Sequence, residues 1–382
     1  MTMRALHNMD FVFDITTYTN PDLVRLENVY GSNLVSIIKK ANKVNIVPSF
    51  SEVHVKNIRE ENGYHFNINT HPDLFPYYHD DFSKENTISY CHFPMAKQFV
   101  DSKNIEYLSR DLRIAFSCDE IEEKELHHKK DIDCRNYADR CFVSVYQSYE
   151  KLMENSTVIT NSEFSRKAII EILNNEMHEI HVIRPPVDVE AFRKKVLYSS
   201  REDERKDIIL TVCRIHKSKE IENTIRLAKH LKEKKVGDGI KVVGNISSEY
   251  DWNYYLNLKK MVRNYELEDY ISFETNVNLN RLFSIMARAK VYFHPMIGEH
   301  FGMSVVEAMA SGLIPVVPNV GGQTEFVPVK YHFSTIEEAA EKVSSAFYKS
   351  DLERIQISNS VNSFSVSNYI NEFQQIIGKL SP

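Results

Sequence analysis

Glycine is scarce in this chain: eleven in 382 residues, of which Gly31 and Gly63 alone precede Gly237. Glycine is the residue that takes positive φ and lets backbone approach a ligand closely. The first half therefore has few places for such contacts, and the second half, with nine, is where a ligand is expected to be cradled. Cysteine is also sparse. Cys91, Cys118, Cys134, Cys141 and Cys213 are odd in number and form no C-x-x-C pair, which excludes a disulfide framework and a zinc knuckle and fits a reduced cytoplasmic setting. Neither an apolar signal core at Met1–Asp10 nor an uncharged apolar run near the ~20 residues of a membrane helix is present, so membrane contact is expected to be peripheral at most. Nor is there an excess of positive charge. With 47 basic against 53 acidic residues and a net charge of -6, the chain is not expected to bind nucleic acid, whose phosphates require uncompensated Lys and Arg.

What is present is an ordinary globular composition, 42% hydrophobic and 26% charged, in a length that suits two domains at ~150 residues each. In the second half, short β-branched runs at Ile208 to Cys213, Ile240 to Val243, Tyr270 to Phe273, Val291 to Phe293 and Pro315 to Val317 alternate with helical patterns. Those patterns cover Ile221 to Leu231, Tyr254 to Leu267, Leu279 to Ala289 and Ser304 to Ala310. Such alternation predicts βαβ units on a parallel sheet. The first half repeats the theme, with strands expected at Phe11 to Ile15, Val44 to Val47, Ile88 to Phe93, Thr157 to Thr160 and Ile180 to Ile183, and helices at Tyr137 to Met153 and Phe164 to Leu173. Pro185-Pro186 enforces extended backbone and marks the linker, and Asp188 is placed to cap a short helix through Phe192. The expected organisation is an α/β protein of two doubly wound, Rossmann-like domains, 1–187 and 188–362, followed by an amphipathic helix in 363–382 (Tyr369, Phe373, Ile376, Ile377, Leu380) that crosses back towards the first.

The stretch GEHFGMSVVEAMASG, Gly298 to Gly312, follows a strand and opens a helix near Met303. A helix N-terminus offers unsatisfied N–H groups and a positive dipole end to a phosphate or a set of hydroxyls. Glu299 and Glu307 put two carboxylates beside it. Because fixed carboxylates would compete with an anion, their expected task is to accept hydrogen bonds from hydroxyls. A sugar nucleotide carries both kinds of group.

The E-x7-E spacing of Glu299 and Glu307, together with AMASGLIPVV and the G-G-x-x-E-F-V of Gly321, Gly322 and Glu325, resembles the donor site of the family 4 retaining glycosyltransferases, which have the GT-B fold. Within that family EHFGMSVVEAMASGLIPVV is similar to the α-1,2-mannosyltransferase type that acts on dolichol-linked oligosaccharide. The resemblance implies two domains facing a cleft and transfer of a hexose, mannose from GDP-mannose, to a saccharide or polyprenyl-linked acceptor, with no metal or other cofactor. It also implies a cationic clamp, and Arg214-Ile215-His216-Lys217-Ser218-Lys219 is similar to the family's G-R-x-x-x-x-K-G, except that Glu220 stands where glycine is usual. Arg214 and Lys219 would then neutralise the leaving diphosphate. Backbone N–H groups of Phe301, Gly302, Met303 and Ser304 would hold oxygens, Glu299 would orient sugar hydroxyls, Glu307 would bind the ribose, and Gly321 and Gly322 would line the donor loop.

In the first half, Ser89-Tyr90-Cys91-His92-Phe93-Pro94 resembles the family's His-Tyr-Pro segment, which implies that His92 lies near donor sugar and acceptor as an orienting group or proton acceptor. The family's early strand and Gly-Gly loop have no counterpart before Gly31. Asp131-Ile132-Asp133 matches a metal-binding D-x-D, but Lys129, Lys130 and Arg135 flank it and a solvated loop is expected. The basic segment from Lys124 to Arg135 is the candidate for membrane-surface contact. Two other functions fit the same donor site: a catalytically idle sugar-nucleotide-binding partner of another transferase, and a nucleotide-sugar epimerase of the same fold.

Overall fold

The computed structural model describes residues 2–17, 20–30, 32–46, 64–70, 87–94, 156–173, 179–198 and 205–380. The helix expected at 137–153 and the segment 124–135 lie outside the described residues. The chain divides into two compact units, one formed by Met1–Arg4, Asp22–Lys40 and Pro185–Asn371, the other by Ala5–Pro21, Ala41–Arg184 and Glu372–Pro382.

The unit containing residues 185–371 is built on six parallel strands, β7 (Ile208–Val212), β8 (Gly239–Gly244), β9 (Ile271–Thr275), β10 (Val291–Phe293), β11 (Ile314–Pro318) and β12 (His332–Phe333). Their spatial order is β12-β11-β10-β7-β8-β9. Counted from β7, this is the doubly wound order in which β7 and β10, neighbours in the sheet, send their connections to opposite sides. The loops leaving the carboxyl ends of β7 and β10 thus flank the switch point, where open α/β sheets place ligands. Central parallel strands are covered on both faces and read as unbroken apolar runs. Accordingly Val291, Tyr292 and Phe293 are all buried, with Val291 in register with Ile209 on one side and Ile314 on the other.

Several helices are fixed at their starts by side chains. Ser248 accepts from Asp251 N–H, Asn278 from Arg281 N–H, and Thr335 from Glu338 N–H while Glu338 reaches back to Ser334 N–H. Asp188 caps its short helix, Val189–Phe192, as expected. Arg193 then turns into the core, donating to the Ser358 hydroxyl and carbonyl and to Asn362 Oδ1, while Val187 N–H donates to the Phe364 carbonyl. The first residues after the Pro-Pro pair are in this way stitched to residues 358–364.

In the other unit, β3 (Asn67–Asn69), β4 (Thr87–Cys91), β5 (Thr157–Thr160) and β6 (Ile180–Val182) form a parallel sheet in that order, and β1 (Ile15–Thr17) pairs with β2 (Val44–Ile46). The first strand begins where the expected segment Phe11 to Ile15 ends. Val12 is 83% exposed and Asn42 N–H bonds the Phe13 carbonyl, so residues 11–14 approach the pair without joining its ladder. Ser162 caps the Glu163–Leu173 helix by accepting from Ser165 N–H.

Candidate active site

Two loops converge at the switch point. The first leaves β7 and carries Arg214, exposed, and Lys219, at the end of a short turn whose start is capped by the His216 ring accepting from Ser218 N–H. The second leaves β10 and runs from His294 to Gly302, where Gly302 at φ 103° turns the chain into the Met303–Ala310 helix. No side chain caps that helix; Val305 N–H turns back to the Gly302 carbonyl at 3.0 Å, and the N–H groups before it have no partner within the helix.

Lys219 Nζ donates to Glu299 Oε2 at 2.7 Å, joining the loops. Both side chains are largely buried, at 17% and 13% exposure. Burial alone would raise the Glu299 carboxyl, but His294, whose Nε2 lies 3.4 Å from Oε2, and the Lys219 ammonium together hold it well below the usual carboxylate range. Glu299 is therefore a fixed anion at neutral pH, suited to accept hydrogen bonds from hydroxyls. Its second oxygen accepts from His300 N–H at 3.1 Å. The Cys213 thiol, beside the same cluster, is pushed up to about 12 by burial.

Glu307 contrasts with it. It is half-buried one turn into the helix, and burial alone lifts its carboxyl to about 7. Ser304, in the first turn, shares a hydrogen bond with the buried Tyr292 hydroxyl at 2.8 Å, while Phe301 is buried and Met303 exposed.

The Gly321-Gly322 pair forms the facing wall. Gly321 bridges to Glu299 in parallel register and has φ 126°, and Gly322 N–H donates to the Glu299 carbonyl at 2.7 Å. A Cβ on Gly322 would stand 2.1 Å from the His300 carbonyl oxygen, so only glycine allows this approach. The departure at Glu220 has a structural counterpart: Glu220 takes a left-handed conformation, φ 49°, where glycine would be unstrained. Its carboxylate accepts from Ile297 N–H at 3.0 Å and ties the first loop to the second.

The structure thus brings Lys219, Glu299, Phe301 to Ser304, Gly321 and Gly322 together at the switch point, with Arg214 on the Lys219 loop and Glu307 one turn into the helix. His92 belongs to the other unit. It is exposed at the carboxyl end of β4, its carbonyl accepting from the Ser165 hydroxyl and its ring 4.9 Å from Tyr90. Sequence reasoning missed His294 and Tyr292, which sit behind Glu299. Among the described residues no three His, Cys, Asp or Glu side chains gather as a metal site, and no helix is long and apolar enough to cross a membrane.

Residues 192–360 match the family described as Glycosyl transferases group 1. The chain is 28% identical over 257 residues to the GDP-Man:Man(3)GlcNAc(2)-PP-Dol alpha-1,2-mannosyltransferase of Dictyostelium discoideum, a match covering 63% of this chain and 50% of the relative. It is 24% identical over 201 residues to the Homo sapiens protein of the same name, covering 50% and 40%. The matches thus span half or less of these curated relatives. Among solved structures, sucrose-phosphate synthase from Thermosynechococcus elongatus superposes with a TM-score of 0.68 at 15% identity, over 98% of this chain and 90% of that one. WaaG, a glycosyltransferase involved in lipopolysaccharide biosynthesis, gives 0.59 at 12%, over 97% and 99%. The chain has the GT-B fold, and its residues 192–360 match the Glycosyl transferases group 1 family.

Proposed function

We propose that the protein is a retaining glycosyltransferase that moves mannose from GDP-mannose to a saccharide or polyprenyl-linked acceptor. The observation that carries this reading is the paired, buried Lys219 and Glu299 beside an uncapped helix N-terminus at the sheet's switch point. A cation for phosphate, an anion for hydroxyls and N–H groups left without a helical partner are what a nucleotide sugar presents partners for. The choice of mannose, of GDP and of a lipid-linked acceptor follows the activity for which these relatives are named.

In this reading Arg214 and Lys219 turn to the diphosphate and stabilise the negative charge that grows as the sugar C1–O bond breaks. Glu299 holds sugar hydroxyls, and Glu307, in its carboxylate form, accepts from the ribose. The acceptor hydroxyl attacks C1 on the face the diphosphate leaves, and its proton passes to a phosphate oxygen, so no side-chain nucleophile is used. His92 assists from the acceptor side as an orienting group. The two cations carry the leaving-group charge, so the reading calls for no metal, and the lipid-linked acceptor brings the protein to the membrane surface peripherally.

The test is transfer and donor hydrolysis with GDP-mannose. Arg214→Ala and Glu299→Ala should each lower the rate by orders of magnitude; wild-type rates in both would overturn the donor site. Binding of GDP-mannose with no sugar release on any acceptor would overturn the enzymatic reading in favour of an idle binding protein, and conversion of the donor without acceptor would point to an epimerase.

A further inference from the structure

His294 follows β10 and is 1% exposed, yet it carries none of the spacing that marks the donor motifs. Its backbone is held by the sheet, its N–H donating to the Val316 carbonyl. The ring lies between two polar groups. Nδ1 faces the Tyr292 hydroxyl at 3.4 Å, and that hydroxyl is shared with Ser304 Oγ at 2.8 Å and with the Val212 carbonyl at 3.2 Å. Nε2 is buried without a well-formed hydrogen bond and points at Glu299 Oε2, 3.4 Å away.

A buried polar nitrogen left unsatisfied costs on the order of 1–3 kcal/mol, so its retention calls for a partner that comes closer in another state. The carboxylate can only accept, so the nitrogen facing it carries the proton, while the single proton of the Tyr292 hydroxyl goes to the Val212 carbonyl and leaves the 3.4 Å contact with Nδ1 a packing contact. Lys219, the other partner of Oε2, sits on a different loop with a long flexible stem. His294 directly follows β10 and its N–H is bonded to the neighbouring strand.

We propose that His294 is a positioning residue for donor recognition: it holds the Glu299 carboxylate in place when Lys219 leaves that carboxylate for the donor diphosphate. This rests on the reading of Glu299 as the group that binds sugar hydroxyls. As the ammonium withdraws, Glu299 settles onto Nε2–H, the long contact shortens, and the carboxylate keeps its free lone pairs aimed at the sugar. The contacts from Ser304 through Tyr292 and His294 to Glu299 link the helix N-terminus to the sugar-binding carboxylate, fixing both with respect to the same strand.

Two substitutions separate this role from packing. Gln places its Nε2 near that of His, whereas Asn can replace only the Nδ1 side. Calorimetry with GDP-mannose and with GDP reads the sugar's share of binding as a ratio of affinities. His294→Asn should weaken GDP-mannose at least ten-fold and GDP no more than two-fold, while His294→Gln should stay within about three-fold of the wild type for both. Equal weakening of both ligands in His294→Asn, no weakening of either, or a His294→Gln protein as impaired as His294→Asn would overturn the proposal. Glu299→Ala is measured alongside. If it leaves the ratio unchanged, Glu299 does not bind the sugar and the functional reading itself fails; if it collapses the ratio while His294→Asn does not, the fault lies with His294 alone.

Discussion

Lys219 and Glu299, 80 positions apart in sequence, form one ion pair of 2.7 Å across the switch point of the sheet. Two residues expected to serve separate parts of a donor thus hold each other, and a diphosphate bound as proposed would compete with Glu299 for the Lys219 ammonium. Removing one partner of a mostly buried pair leaves an uncompensated charge, whereas removing both does not. Lys219→Met and Glu299→Gln should therefore each destabilise the protein, and the double variant should lose less than their sum, by about 1–3 kcal/mol in a urea-unfolding cycle. Additive losses would show that the pair is not coupled. Because the Glu299 carboxyl is held below its ordinary value of 4.5, its contribution is present above that pH and lost as pH falls further.

Glu307 predicts the opposite pH dependence. Burial lifts its carboxyl from 4.5 to about 7, so between these values the folded protein keeps a proton that the unfolded chain has released. Stability from this group falls as pH rises through that window and levels off above about 7. Glu307→Gln removes the titration. Its melting temperature should exceed that of the wild type at pH 8 and match it near pH 4; a constant difference across the range would contradict the assignment. If Glu307 accepts from ribose as a carboxylate, GDP should bind the wild type more weakly at pH 5.5 than at pH 7.5, and Glu307→Gln should lack that dependence.

Gly322 offers a steric test of the donor wall. A Cβ there would meet the His300 carbonyl carbon at 2.8 Å and Phe301 Cα at 2.9 Å, all backbone that cannot rotate away. Gly322→Ala must push the Glu299–Phe301 segment outward, costing about 1–3 kcal/mol of stability and weakening GDP-mannose binding more than ten-fold. Gly378→Ala is the control: nothing lies within 4 Å of its would-be Cβ, and in the Val366–Leu380 helix alanine should stabilise by roughly 0.5–1 kcal/mol. Equal behaviour of the two variants in binding would remove Gly322 from the site.

The parts of this architecture that could be read from sequence are those in which local chemistry and tertiary role agree. Buried parallel strands such as β7 and β10 are apolar runs, and the helix at Met303 is announced by the glycine before it and the motif around it. The helices Ile336–Ala346 and Asp351–Ser360 went unread because their buried faces use small or polar residues, Ala339, Ala340, Val343 and Ala346 in one, Arg354, Ile357 and Ser358 in the other. Their capping pairs, Thr335 with Glu338 and Ser350 with Glu353, were the signal available. Arg193 and Arg354 are buried against carbonyls from distant segments, Ser358 in one case and Lys290 and Gly312 in the other, and a lone arginine in sequence gives no hint of that. His294 was missed for the same reason: its meaning depends on Glu299 and Tyr292 meeting it in space.

Glu220 supplies the last prediction, because it departs from the family pattern and the structure gives it two opposing effects. Its left-handed backbone costs on the order of 1 kcal/mol for a non-glycine residue. Its carboxylate repays this by accepting from Ile297 N–H at 3.0 Å and from Asn223 Nδ2 at 3.3 Å, while Asn223 also donates to the Pro295 carbonyl. Glu220 thereby fastens the Lys219 loop to the Glu299 loop. Glu220→Gly removes the strain and the tie together, so stability should stay within about 1 kcal/mol of the wild type, whereas Glu220→Ala keeps the strain, loses the tie and should fall about 1 kcal/mol further, to a loss of roughly 1–2 kcal/mol. Both should bind GDP-mannose more weakly, since the loop carrying Glu299 is then held to the one carrying Lys219 by the ion pair alone, which a bound diphosphate would loosen. A Glu220→Ala protein as stable as Glu220→Gly would show that the positive φ is not strained, and unchanged GDP-mannose affinity in both would show that the tie does not serve the donor site.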